Sequence, residues 1–179
     1  AFITYDDAGR PIRSRFANTM IRSAKRLTYQ QAQAILDGKV ARAPKPIVEL
    51  LGQMDQLAKT IRQRRLRDGM IVLDLSEIEL KYDDDGRLVD VVPADASFTH
   101  TIIEMFMVEA NEAVCRALTD ARTPHLRRIH DEPSFSAIES LSKFIRVLGQ
   151  SLPRHPQRGD LQQLLDGVRG TTLAFPVHF

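Results

Sequence analysis

Ile47-Val48-Glu49-Leu50-Leu51-Gly52-Gln53-Met54-Asp55-Gln56-Leu57-Ala58-Lys59-Thr60-Ile61 is the clearest periodic stretch of this 179-residue chain. Ile47, Leu50, Leu51, Met54, Leu57, Ala58 and Ile61 recur at helical spacing and make one apolar stripe. The helix continues through Arg62-Gln63-Arg64-Arg65-Leu66-Arg67 to a stop at Gly69. Cations in a last turn suit the negative end of the helix dipole, so these arginines read by default as a solvated helix end, with phosphate contact as the other use.

Working upstream, Ala41–Pro46 is a short proline-containing linker. Before it, Thr28 with Gln31 three residues on has the spacing of a capping box, and predicts a helix Tyr29–Leu36 stopped by Asp37-Gly38. Residues 2–5 and 12–22 read as strands joined by Asp6-Asp7-Ala8-Gly9-Arg10-Pro11. Downstream, residues 70–82 and 87–92 read as strands around the hairpin turn Asp83-Asp84-Asp85-Gly86. A second long helix is expected over Phe98–Leu118, with the stripe Ile103, Phe106, Met107, Ala110, Val114, Ala117 and Leu118. Leu126–Ile129 suggests a short strand. Ser134 or Ser136 caps a third helix carrying Ile138, Leu141, Phe144, Ile145 and Leu148, and Asp160 caps a fourth carrying Leu161, Leu164, Leu165 and Val168. The expected fold class is α+β, with long amphipathic helices packed on a small, mostly antiparallel sheet.

Composition is that of an ordinary globular chain, 43% hydrophobic and 27% charged. One cysteine, Cys115, excludes an internal disulfide and suits a reducing, cytoplasmic setting; within its helix it reads as a small buried hydrophobe. No apolar run is long enough to cross a membrane. The N-terminal Ala1-Phe2-Ile3-Thr4-Tyr5 reads as a strand entered midway, and the C-terminal Leu173–Phe179 is apolar to its last residue, so residues 1–179 are expected to be cut from a larger fold at both ends. The net charge of +2 conceals +8 over residues 1–68, −9 over 69–120 and +3 over 121–179. That segregation suits a polyanion near a carboxylate-rich surface, or two faces that attract each other within the fold.

Few residues point to chemistry by spacing. Asp83, Asp85 and Gly86 fit positions 3, 5 and 6 of a calcium loop, but Lys81 and Val92 stand at positions 1 and 12, so the run is a solvated turn. His100 and Glu104, four apart, share a helix face and could hold a metal or a ribose hydroxyl, or make a plain surface pair. His125, His130, His155 and His178 lack metal-ligand spacing. Arg22, Lys25 and Arg26 followed by Tyr29 combine cations and a ring at a strand-to-helix junction, the mixture that grips single-stranded RNA; the same ring could instead pack over its helix start.

Five stretches, in order, resemble the catalytic RNB domain of the ribonuclease II/ribonuclease R family. They are Thr19-Met20-Ile21-Arg22-Ser23-Ala24-Lys25-Arg26-Leu27-Thr28-Tyr29 with Gln33–Gly38, Arg67-Asp68-Gly69, the hairpin Leu73-Asp74-Leu75-Ser76-Glu77 to Asp85-Gly86, Ile102–Ala113, and Leu126–Pro133. The resemblance covers residues 12–150 closely and the tail loosely. It implies a central segment of a hydrolytic 3′→5′ exoribonuclease, in which single-stranded RNA enters a narrow channel 3′ end first and leaves as nucleoside 5′-monophosphates. It implies magnesium held by aspartates upstream of these motifs, so no catalytic residue and no metal ligand is expected in this chain, and the segment alone is expected to be inactive. The partners implied are single-stranded RNA and the remainder of the RNB domain.

Two positions carry over. Tyr29 matches the family's tyrosine near the 3′-terminal nucleotides. Glu104 matches the first glutamate of the family's Ile-Glu-Glu-Phe-Met helix, near the 3′ ribose, where a carboxylate can accept from a 2′-hydroxyl. The family's second glutamate is Met105 here. Arg22 and Arg26 are expected to contact the RNA backbone, and Asn111 to satisfy internal hydrogen bonds. The alternative is a non-catalytic RNA-binding or interaction domain derived from the same fold.

Overall fold

The computed structural model describes every residue except Asp74, Ser76 and Phe179. The strand expected over residues 70–82 and the Leu73–Glu77 stretch therefore fall partly outside the described residues, as does the last residue of the apolar C-terminus. Among the described residues the order is β1 (Phe2–Tyr5), β2 (Pro11–Arg15), α1 (Tyr29–Leu36), α2 (Lys45–Arg67), β3 (Ile78–Tyr82), β4 (Leu88–Pro93), α3 (Phe98–Asp120), α4 (Phe135–Val147), α5 (Arg158–Val168) and α6 (Ala174–His178). The α+β class holds, and both pairings are antiparallel. They form two separate two-stranded sheets, β1–β2 and β3–β4, where one sheet was expected.

Two compact units share these elements. The first gathers Ala1–Arg65 and Asp95–Leu126, the second Leu66–Ala94 and Arg127–Phe179.

In the first unit, α1 starts where its capping box dictates. Thr28 Oγ1 accepts from the Gln31 amide at 3.2 Å, and Gln31 Oε1 accepts from the Thr28 amide at 3.0 Å. The expected bounds of α1 are met, whereas α2 begins two residues earlier than expected, at Lys45, within the stretch read as a linker. The strand expected over 12–22 ends at Arg15, and residues 16–28 run on without regular structure. Met20 and Ile21 are fully or almost fully exposed there, so nothing in this unit buries the apolar residues that suggested a longer strand.

The core of this unit lies between α2 and α3. Ala58, Ile61 and Arg64 are buried on α2; Thr99, Ile102, Met105, Glu109 and Ala113 are buried on α3. The α3 stripe read from the sequence is therefore off by one residue, about 100° around the helix. Ile103, Met107 and Val114 of that stripe are exposed. The reason is Glu109. Apolar periodicity rejects a face holding a carboxylate, yet Glu109 is only 1% exposed because α2 neutralises it. Arg64 donates to both its oxygens through Nη2 and Nη1, and Arg65 Nη1 donates to Oε1 at 3.0 Å. Arg65 also reaches Glu112 at 2.8 Å, and Arg116 reaches Glu112 at 3.3 Å. Arg64 itself is 8% exposed, which corrects the reading of that arginine as part of a solvated helix end.

Arg64 also ties the β1–β2 turn to α2, since its Nη1 donates to the Gly9 carbonyl at 3.0 Å. Gly9 has φ of 76°, and a Cβ there would sit 3.0 Å from Thr60 Cγ2. Only glycine fits both the backbone conformation and the approach. Tyr5, at the end of β1, has its hydroxyl pKa raised, first by burial and then by the Glu109 carboxylate.

The second unit has a thinner core. Ile145, Leu165, Val168 and His178 are its buried side chains among the described residues. Both strands of the β3–β4 hairpin are exposed along nearly their whole length. Ser134 caps α4, accepting from the Ala137 amide at 3.2 Å. Asp160 is the third residue of α5 and not its cap; it accepts from the Gln157 amide at 2.7 Å, and Gln157 is the cap. Gln162 of α5 accepts from the Val72 amide at 2.8 Å. The strand expected at Leu126–Ile129 is absent: both residues are exposed with no pairing partner strand, Leu126 at 102%. His178 packs in α6 with Nε2 3.3 Å from the Leu165 carbonyl.

Removing one partner of a buried ion pair strands the other charge. Glu109→Ala should destabilise the chain by about 3–5 kcal/mol, while Arg64→Met with Glu109→Leu recovers most of that loss. Urea unfolding of the two variants beside the parent chain measures both.

Candidate nucleic-acid interface

Tyr29 is the first residue of α1 and is 41% exposed. Its position is set by the first turn of α3, within the same unit. The Tyr29 ring stacks on the His100 ring with centroids 3.7 Å apart and planes 27° apart. Its backbone carbonyl accepts from Thr99 Oγ1 at 3.0 Å. Sequence reading left packing and stacking open for Tyr29. The structure packs one part of the ring on His100 and leaves much of the remainder accessible.

Behind this contact lies a polar circuit. A carbonyl can only accept, so Thr99 donates to Tyr29. The Ser97 hydroxyl is then shared between Thr99 Oγ1 at 2.9 Å and Asp95 Oδ2 at 3.2 Å. Asp95 Oδ1 accepts from the Ser97 amide at 3.0 Å. His100 Nε2 lies 3.2 Å from Asp95 Oδ2; the carboxylate accepts, so Nε2 carries the proton. Ser97 occupies the N-cap of α3, yet its side chain makes no capping bond. That forgoes about 1 kcal/mol of helix stabilisation, the usual worth of a serine cap. The Asp95 pKa is lowered, first by the Ser97 amide; desolvation opposes this, and the hydrogen bonds from His100 and the Ser97 hydroxyl add to the lowering.

Glu104 follows His100 by one helical turn and is exposed on the same face of α3. Met105 beside it is 1% exposed and belongs to the core. Of the two adjacent positions only Glu104 can meet a ligand. Tyr29, His100 and Glu104 are thus brought onto one surface.

Arg22 and Arg26 are placed differently. Both are exposed in the irregular passage before α1. Arg26, with Lys25, Gln31, Ala34, Ile35 and Arg42, lines a concavity of about 360 Å³. Gln31, Ala34 and Ile35 lie on the flank of α1 opposite Tyr29, so the basic cluster and the ring do not share one face of that helix. Asn111 is exposed. Cys115 is half-buried, with Sγ 3.7 Å from His125 Nε2, and so is less enclosed than the expected small hydrophobe. Among the described residues no three His, Cys, Asp or Glu side chains are grouped so as to hold a metal ion. Nor, among those residues, is any helix long and apolar enough to cross a membrane.

The candidates named from the sequence included Tyr29 and Glu104 but not the circuit that holds Tyr29. The His100–Glu104 spacing was visible. Asp95 and Thr99 had no signal beyond their place before and within a helix start.

Residues 1–175 match the RNB domain. Ribonuclease R of Thermotoga maritima is 31% identical over 170 residues, covering 92% of this chain and 24% of that protein. The apo form of Mycoplasma genitalium RNase R superposes with a TM-score of 0.91 at 23% identity, over 98% of this chain and 28% of that one. The same enzyme in complex with ribose-methylated single-stranded RNA gives a TM-score of 0.89 at 23% identity, over the same shares of the two chains. The chain belongs to the RNB domain family, and spans about a quarter of the length of these relatives.

A lowered carboxyl pKa stabilises the fold above the ordinary aspartate value of about 3.9. That contribution is lost only as pH falls through the lower, folded value. Asp95→Asn should therefore flatten the acid limb of stability below about pH 4, read by unfolding the variant and the parent side by side across that range.

Proposed function

We propose that this chain is a central stretch of a cytoplasmic, hydrolytic 3′→5′ exoribonuclease that shortens single-stranded RNA to nucleoside 5′-monophosphates. What carries the reading is the family match over residues 1–175, in a chain whose Tyr29 and Glu104 share an exposed surface. In this reading Tyr29 lies against a base or sugar near the 3′ end, and the Glu104 carboxylate accepts from a ribose hydroxyl, which separates RNA from DNA. Arg22 and Arg26 lie along the phosphate path. The magnesium belongs to residues outside this chain, and the segment alone binds RNA without cleaving it.

The remainder of the RNB domain is the other partner. Ile103, Met107 and Val114 form an outward apolar stripe on α3. A stripe of that kind suits burial against further protein.

A 5′-labelled single-stranded RNA incubated with magnesium tests the activity. The natural protein containing these residues should shorten it step by step. Shortening by the isolated 179-residue chain would contradict the metal assignment, and no shortening by the natural protein would end the exonuclease reading. Tyr29→Ala in the natural protein should weaken single-stranded RNA binding by about 1–3 kcal/mol, the usual worth of a stacked ring. Affinity should fall as salt rises, and a flat response would remove the phosphate-tracking path.

A further inference from the structure

A tyrosine at an exposed helix start is normally free to change rotamer, and a ligand that stacks on it must first hold it still. Here that ordering is already done. The Tyr29 ring lies on His100 at 3.7 Å between centroids, its carbonyl is held by Thr99, and His100 is itself held by Asp95. Ser97 joins the two branches, bonding to both Asp95 and Thr99.

Two features mark this as more than incidental packing. The Ser97 hydroxyl stands at the N-cap of α3, where its ordinary use is to satisfy a helix amide, and it is turned to the circuit instead. Thr99 is buried, 3% exposed, so its bond to the Tyr29 carbonyl is shielded from competing water. The circuit therefore fixes both the backbone and the ring of one residue, and that residue is exposed.

We propose that His100 is a positioning residue: backed by Asp95, it serves as the floor on which Tyr29 is pre-set to receive the 3′-terminal part of a single-stranded RNA. This rests on the reading of Tyr29 as an RNA contact. His100 need not touch the RNA; it keeps the accessible face of the Tyr29 ring in one orientation, beside Glu104 one turn further along α3. The Nε2–H bond to Asp95 fixes the ring plane of His100, and the stack passes that orientation to Tyr29.

The test is equilibrium binding of a fluorescent single-stranded RNA to the natural protein, with EDTA present so that binding is read without turnover. His100→Ala should weaken binding by about tenfold, within the range one stacked ring is worth. The Tyr29→Ala/His100→Ala double variant should bind no more weakly than Tyr29→Ala alone, because both substitutions remove one and the same contact. His100→Phe keeps a ring under Tyr29 and should bind more tightly than His100→Ala. A merely structural role would lower the melting temperature without that non-additivity and without rescue by phenylalanine.

Parent-like binding by His100→Ala, while Tyr29→Ala binds weakly, would overturn the positioning role and leave Tyr29 an RNA contact. Losses that multiply in the double variant would overturn it as well. Parent-like binding by Tyr29→Ala would remove the underlying reading, and the role of His100 with it.

Discussion

A carboxylate in the middle of a long helix stays buried only if a neighbouring element neutralises it. Glu109 of α3 is met by Arg64 and Arg65 of α2, and that contact organises the first unit. It turns the face of α3 that carries Ile102, Met105 and Ala113 inward. Through the Gly9 carbonyl, Arg64 also draws the β1–β2 turn onto α2. Neutralising a desolvated charge needs close, well-aligned donors, so the rotation of α3 about its axis follows from the pair as much as from apolar burial.

The candidate interface depends on that rotation. With Glu109 facing inward, Thr99, ten residues earlier, is buried on the same side and meets the backbone of α1. His100, one residue on, points to the rim and meets the Tyr29 ring. Glu104 follows His100 on the rim, and Met105 follows Ile102 into the core. Had the stripe inferred from periodicity faced inward, these roles would have been displaced by a residue. A charge pair in the core and an aromatic stack at the edge are thus two consequences of one helix orientation.

The uneven charge along the chain finds part of its use here. Arg64 and Arg65 come from the basic first segment, Glu109 and Glu112 from the acidic second one. Attraction within the fold accounts for those groups. Arg22, Arg26 and Lys25 are exposed, and their charge faces outward. A basic flank on one side of α1 and a ring with a carboxylate on the other suit a strand whose phosphates and terminal sugar are held by different groups.

Local rules were enough for much of this. The Thr28–Gln31 capping box placed α1, the apolar spacing of 47–61 placed α2, and Asp83–Gly86 marked the second hairpin, because caps, stripes and tight turns are decided by residues a few positions apart. The ordered motifs pointed to the RNB family, and Tyr29 and Glu104 were named from them. Other features were settled over long range: the inward turn of Glu109 through Arg64, 45 residues away, the Thr99 bond to Tyr29 across 70, and the shortened β2 that lacks any covering partner in its unit. Periodicity weighs each side chain by its own polarity. A buried carboxylate is stabilised by a partner that no local window contains.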